Sequence, residues 1–205
     1  MRETVSKVMN LLIGIIAVAV WLTVTFGLEG LGTKGPGGFG NLRYFTVLSN
    51  LFQAVVSLAY LFGGKVRLWK YASTTAIAFT FCIALFFLGP TRGYASVYSG
   101  ANFWSHLVVP VLAMADFLFF DRKGTYTLSE SLFAVIPMLL YGLFYAGTIL
   151  IGGAEGNDLY GFARFGPGAS AVIAIALLAV NWGLAVLLRL PRRRPKEDDK
   201  RKPAL

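Results

Sequence analysis

The sequence predicts an all-α polytopic membrane protein: a single bundle of six transmembrane helices with both termini in the cytoplasm. Three observations predict it. Of 205 residues, 56% are hydrophobic and only 14% charged, and the mean hydropathy is +0.65, beyond what a water-soluble domain tolerates. Six stretches are each long and apolar enough to cross a bilayer, at about 18 residues or more: 8–26, 45–63, 71–89, 104–120, 131–152 and 169–188. Lipid offers no partners to backbone amides, so each is expected to be helical. The third observation is the charge distribution. Alternate connecting segments, counting the N-terminal arm and the C-terminal tail, hold fifteen Lys and Arg residues against four in the others, which by the positive-inside rule places both ends in the cytoplasm.

Taken in order, span 8–26 follows Arg2 and Lys7, as a secretory signal would. Its length and the absence of a small-x-small site after it predict a retained helix. GLEGLGTKGPGGFGNLR then reads as a glycine-rich, mobile outer loop. Span 45–63 carries polar residues and is treated below. Span 71–89 holds Cys82, the single cysteine, which excludes an intrachain disulfide and a cysteine-based metal cluster. Span 104–120 opens near His106, the only histidine. Span 131–152 carries Tyr141, Tyr145 and Thr148, and span 169–188 follows a Gly-Pro-Gly. The cytoplasmic connections KVRLWK and DRKGTYTLSE are too short to form a domain, so 1–190 folds as one unit. The remainder, 191–205, is expected to be a disordered basic tail drawn to anionic lipid. The formal charge of +9 lies mostly in that tail and the short loops, which argues for a lipid surface and against nucleic acid.

Functional groups concentrate in span 45–63. Thr46, Ser49, Asn50, Gln53 and Ser57 fall at offsets 0, 3, 4, 7 and 11, one continuous face of a helix. Polar groups at such depth are costly unless they meet partners or water, so the face points into the bundle. Such residues commonly serve as hydrogen-bonded contacts between membrane helices. Here the face also shares a level with His106, which stands beside Pro110 and Ala113. A hydroxyl activated by an imidazole is the simplest chemistry of this set, and it uses no metal and no cofactor, since carboxylates and thiols are missing at that depth. Arg43 and Arg164 border the outer mouth, suited to holding a carboxylate or to anchoring helix ends. Tyr145, Asn50 or an amide near Gly166 to Gly168 are candidates to stabilise an oxyanion. Asp158 and Glu155 are loop carboxylates that could complete a triad, whereas Asp116 is about 15 Å from His106 along the axis and reads as a cap or ion pair at the cytoplasmic end.

The ordered set RYFTVLSN, FWSHLVVPVLAMAD, YGLFYAGTILIGG and FGPGAS resembles the androgen-induced and androgen-dependent multi-pass membrane hydrolases and their bacterial relatives, the Pr6Pr membrane proteins. The resemblance covers spans two to six. It implies a lipid-ester hydrolase of a cell membrane, for the bacterial relatives the plasma membrane, acting without metal or organic cofactor on fatty acid esters of hydroxy fatty acids or similar lipids. It also implies Thr46 as nucleophile and His106 as its base; the positions of Arg43, Ser49, Asn50, Gln53, Tyr145 and Arg164 at the outer mouth and on the inward faces make them the candidates to surround the substrate. Ser49 is a rival nucleophile on the same face. Two alternatives stand beside hydrolysis. One is acyl transfer by the same pair. The other is a transporter, channel or lipid-binding protein, which requires a polar lining that continues to the cytoplasmic side, where the face on span 45–63 fades after Ser57.

Overall fold

The computed structural model describes residues 1–27, 38–121 and 124–192. Most of the glycine-rich loop and nearly all of the basic tail lie outside these. Among the described residues there is no β-strand, and the chain forms six long helices. They are α1, Arg2–Phe26; α2, Phe45–Leu61; α3, Arg67–Arg92; α4, Gly100–Phe120; α5, Leu128–Gly152; and α6, Gly166–Arg189. All but α2 are long and apolar enough to cross a membrane, the architecture of a helical membrane protein. The apolar α2 is shorter, at 17 residues, or about 26 Å.

Most helices extend past the apolar runs that signal them. α1 begins six residues before the run at 8, and α3 and α4 each begin four residues early, because polar residues at a helix end stay helical once the apolar part is anchored. α5 starts on a capping box: Thr127 Oγ1 accepts from the Glu130 amide at 3.2 Å and Glu130 Oε2 accepts from the Thr127 amide at 2.7 Å, satisfying two otherwise orphaned donors.

α3 is the centre of the bundle. Sixty-one per cent of its most apolar stretch is buried, against 17% for α5 and for α6. Its run from Lys70 to Thr80 is buried all round, and its Ala, Ser and Thr side chains let neighbours approach closely. α1 bridges α2 and α4. Gly14 permits that packing, since a Cβ there would stand 2.9 Å from Leu58 Cδ2.

Two prolines shape α3 and α4 at the Thr46 end of the bundle. Pro90 and Pro110 donate no amide, and each follows a π turn, Ala84–Leu88 and Trp104–Val108. The first amide after each turn reaches back five residues, Gly89 to Ala84 and Val109 to Trp104. The extra residue in the Trp104–Val108 turn lets two consecutive side chains, Ser105 and His106, both face inward.

At the opposite end, Lys70 is 1% exposed and enclosed by charge. Its Nζ lies 2.6 Å from Asp116 Oδ2, 3.0 Å from Asp121 Oδ2 and 3.9 Å from the centre of the Tyr60 ring. Asn10 Nδ2 donates to the same Asp116 oxygen at 2.7 Å. The Asp116 ion pair is thus present. Its partner is a lysine that composition assigns to a solvated connection.

Candidate functional site

Thr46 stands in the first turn of α2. Tyr44, its N-cap residue, supplies no side-chain hydrogen bond, so the first orphaned amide is satisfied from elsewhere: Phe45 N–H donates to Tyr160 Oη at 3.0 Å. Tyr141 on α5 completes this support, with its hydroxyl 2.8 Å from the Arg43 carbonyl and 3.0 Å from Tyr160 Oη. The Arg43 guanidinium donates to the Gly156 carbonyl at 2.9 Å and to Asn157 Oδ1 at 2.7 Å. Arg43 therefore straps the loop 153–165 to the start of α2.

The face of α2 meets α4 at the level the periodicity implies. Thr46 Oγ1 lies 3.3 Å from His106 Nε2, and His106 Nδ1 lies 3.1 Å from the Val97 carbonyl oxygen. A carbonyl only accepts, so the ring proton sits on Nδ1. That tautomer leaves the Nε2 lone pair facing the hydroxyl, as a general base requires. His106 is 7% exposed and Thr46 partly exposed, so the pair is sheltered yet open on the threonine side. The orienting group is a backbone carbonyl at the end of a single helical turn, Tyr94–Val97. No side-chain pattern announces it.

Asn50, one turn further, locks the two helices together. Its Nδ2 donates to the Thr46 carbonyl at 2.8 Å and to the Ser105 carbonyl at 3.1 Å. With both protons engaged, it offers none to an oxyanion in this arrangement. Gln53 Nε2 donates to Ser57 Oγ at 3.1 Å. Ser49 turns to α3, its Oγ 2.9 Å from Thr80 Oγ1 and 3.1 Å from the Thr46 carbonyl, with no imidazole beside it. It lines instead an apolar groove of about 330 Å³ among α2, α3 and α5, walled by Phe45, Leu48, Phe52, Tyr141 and Phe144, which neither Thr46 nor His106 lines.

The remaining residues named from sequence lie apart. Tyr145 donates to Asp158 Oδ1 in a short hydrogen bond, so Asp158 holds a tyrosine of α5 and does not orient His106. Arg164 is exposed, its guanidinium 4.6 Å from the centre of the Phe165 ring. Among the described residues no group of three His, Cys, Asp or Glu is arranged to hold a metal ion.

Asp158 gives the loop a pH-sensitive anchor. Desolvation raises its carboxyl, but the Tyr145 hydroxyl and the amides of Ala163, Phe162 and Gly161 outweigh that and hold it below the usual carboxylate range. A depressed value in the folded state means its stabilisation is complete above the ordinary aspartate value and is lost as pH falls through the lowered one. Hydrogen exchange of the 153–165 amides, corrected for intrinsic rates, is therefore expected to accelerate only once the pH drops below about 4. Asp158→Asn should show fast exchange at neutral pH as well.

The polar character of the interior does not stop at Ser57, contrary to what α2 alone suggests. One turn on, Tyr60 Oη accepts from Ser6 Oγ at 3.3 Å, and Asn10 carries the contacts on to Asp116 and Lys70. The missing half is contributed by α1, α3 and α4, which a reading of one helix face does not reveal. No protein family, curated protein or solved structure matches this chain.

Proposed function

We propose that this chain is a six-span lipid-ester hydrolase of a cell membrane, with both termini cytoplasmic, in which Thr46 is the nucleophile and His106 its base. One observation carries the reading: a threonine hydroxyl 3.3 Å from an imidazole nitrogen whose other nitrogen is fixed on the Val97 carbonyl. Such a hydroxyl is otherwise inert at neutral pH, and the neighbouring lone pair is what makes it attack a carbonyl. The excess of Lys and Arg in alternate connections puts this pair near the outer leaflet. The resemblance to the androgen-induced and androgen-dependent hydrolases supports fatty acid esters of hydroxy fatty acids, or similar lipids, as the substrate class. The apolar groove beside Ser49 is suited to a lipid chain arriving sideways from the bilayer.

The test is labelling of the purified protein with a fluorophosphonate probe, followed by peptide mapping. Label on Thr46 that disappears in His106→Ala is the expected result. Label on Ser49, or none at all, would overturn the assignment.

A second reading is favoured by the buried polar groups at the Lys70 end. Together with the α2 face they supply polar side chains at both ends of the bundle, as a conduit for a proton or small ion requires. Flux through reconstituted vesicles that persists in Thr46→Ala, with no labelling of Thr46, would select it.

A further inference from the structure

Hydrolysis through an acyl-threonine needs water, and a site within an apolar bilayer receives it only where polar groups hold it. The stripe on α2 contains two acceptors that nothing satisfies. Both partners of the Asn50 amide nitrogen are carbonyls, so the orientation of that side chain is unambiguous. Its Oδ1 is left buried with no hydrogen-bond partner. One turn deeper, Gln53 Oε1 is likewise buried and unpartnered. The two side chains are 5% and 1% exposed. Buried carbonyl oxygens are nearly always paired with protein or ordered water, and these two follow Thr46 along the same helical face.

We propose that Asn50 and Gln53 hold the hydrolytic water, so that the α2 stripe is a hydration track serving the Thr46–His106 pair. This rests on the hydrolase reading above. The water nearest the pair gives one hydrogen to Asn50 Oδ1 and directs the other at His106 Nε2. Gln53 Oε1 accepts from the next water, which replaces the first after each turnover. In the step itself the water oxygen bonds the acyl carbonyl carbon while His106 Nε2 takes its proton. The bond from that carbon to Thr46 Oγ1 then breaks, and the proton passes from Nε2 to Oγ1 as the free fatty acid leaves. Asn50 and Gln53 are water-positioning residues. Because the Asn50 amide also ties α2 to α4, Gln53 is the residue that isolates the effect.

The experiment uses the full chain in detergent with a long-chain p-nitrophenyl ester, following the burst of nitrophenol, the rate after it and the mass of the acylated protein. Gln53→Leu is expected to keep the burst and to slow the later phase about tenfold, with acyl-Thr46 accumulating. Added methanol should then capture a larger share of the acyl group as methyl ester. Gln53→Glu, which restores an acceptor, should recover most of the rate, and Gln53→Met serves should the leucine variant fail to fold. A post-burst rate equal to that of the unmodified protein in Gln53→Leu or Gln53→Met overturns the hydration track and leaves the hydrolase reading intact. A burst and steady state that fall together point to a structural role and overturn it too. Absence of any acyl-Thr46 in the unmodified protein defeats the hydrolase reading itself, and this inference with it.

Discussion

Replacing Thr46 by Ala is expected to lower ester turnover of the purified protein about a thousandfold or more, and His106→Ala to lower it as far, with the double variant no worse than either. The non-additivity follows from the geometry. The hydroxyl is reactive only while Nε2 accepts its proton at 3.3 Å, and the imidazole has no other role in the attack, so removing one member removes the contribution of both. Neither change should unfold the protein. Thr46 is only partly buried, and besides the Thr46–His106 contact itself the Asn50 side chain ties α2 to α4 at this level through the Ser105 carbonyl, its other amide hydrogen resting on the Thr46 carbonyl of its own helix; both acceptors are backbone and survive substitution at 46 or 106. Unchanged thermal unfolding in detergent alongside lost turnover would separate chemistry from folding. Ser49→Ala should retain turnover within a few-fold, because that hydroxyl sits against Thr80 on α3. Full activity in Thr46→Ala would end the proposal.

That pair was visible in the sequence for a simple reason. A period of 3.6 residues and a rise of 1.5 Å place Thr46 and His106 on inward faces at one level without any knowledge of how the helices pack. The groups around them were not visible, and the causes differ. Val97 contributes through its backbone, so its side chain carries no signal. Arg43 has the chemistry to bind a carboxylate, yet its guanidinium is spent on Gly156 and Asn157, and such competition between ligand and loop depends on tertiary contacts. The π turns had a sequence signal in Pro90 and Pro110, since a residue without an amide disturbs the i to i−4 ladder, but the pattern does not say whether the helix kinks or widens. The helix order and the burial of α3 illustrate the same limit: apolar runs identify spans, whereas a run of Ala, Ser and Thr identifies the central one only once its neighbours are in place.

The largest effect on stability is expected at the other end of the bundle. Lys70 pairs with both Asp116 and Asp121, and its ammonium and both carboxylates are at most 5% exposed. Lys70→Ala takes away the ammonium that lies between the Asp116 and Asp121 carboxylates, a change of about 3–5 kcal/mol for a broken buried pair, which is a large part of the stability of a typical domain. Asp116→Ala should cost less, about 1–3 kcal/mol, because Asp121 still neutralises the ammonium and the Asn10 amide, which loses Asp116, keeps the Ser6 carbonyl as an acceptor. Asp121→Ala should be milder again, since Asp116 keeps the shorter contact. The order lysine, then Asp116, then Asp121 is the informative quantity: the lysine ranks first because it pairs with both carboxylates, and Asp116 precedes Asp121 because it makes the shorter contact and also accepts from Asn10. Removing the charges together, with Lys70→Met, Asp116→Asn and Asp121→Asn, is expected to recover part of the loss of the single lysine variant, as paired charges cost desolvation that neutral side chains do not. Thermal unfolding in detergent decides the matter: a Lys70→Ala protein within about 1 kcal/mol of the original would mean that water reaches these carboxylates, and that the polar groups of α1, α3 and α4 are part of a wet passage instead of a sealed structural cluster.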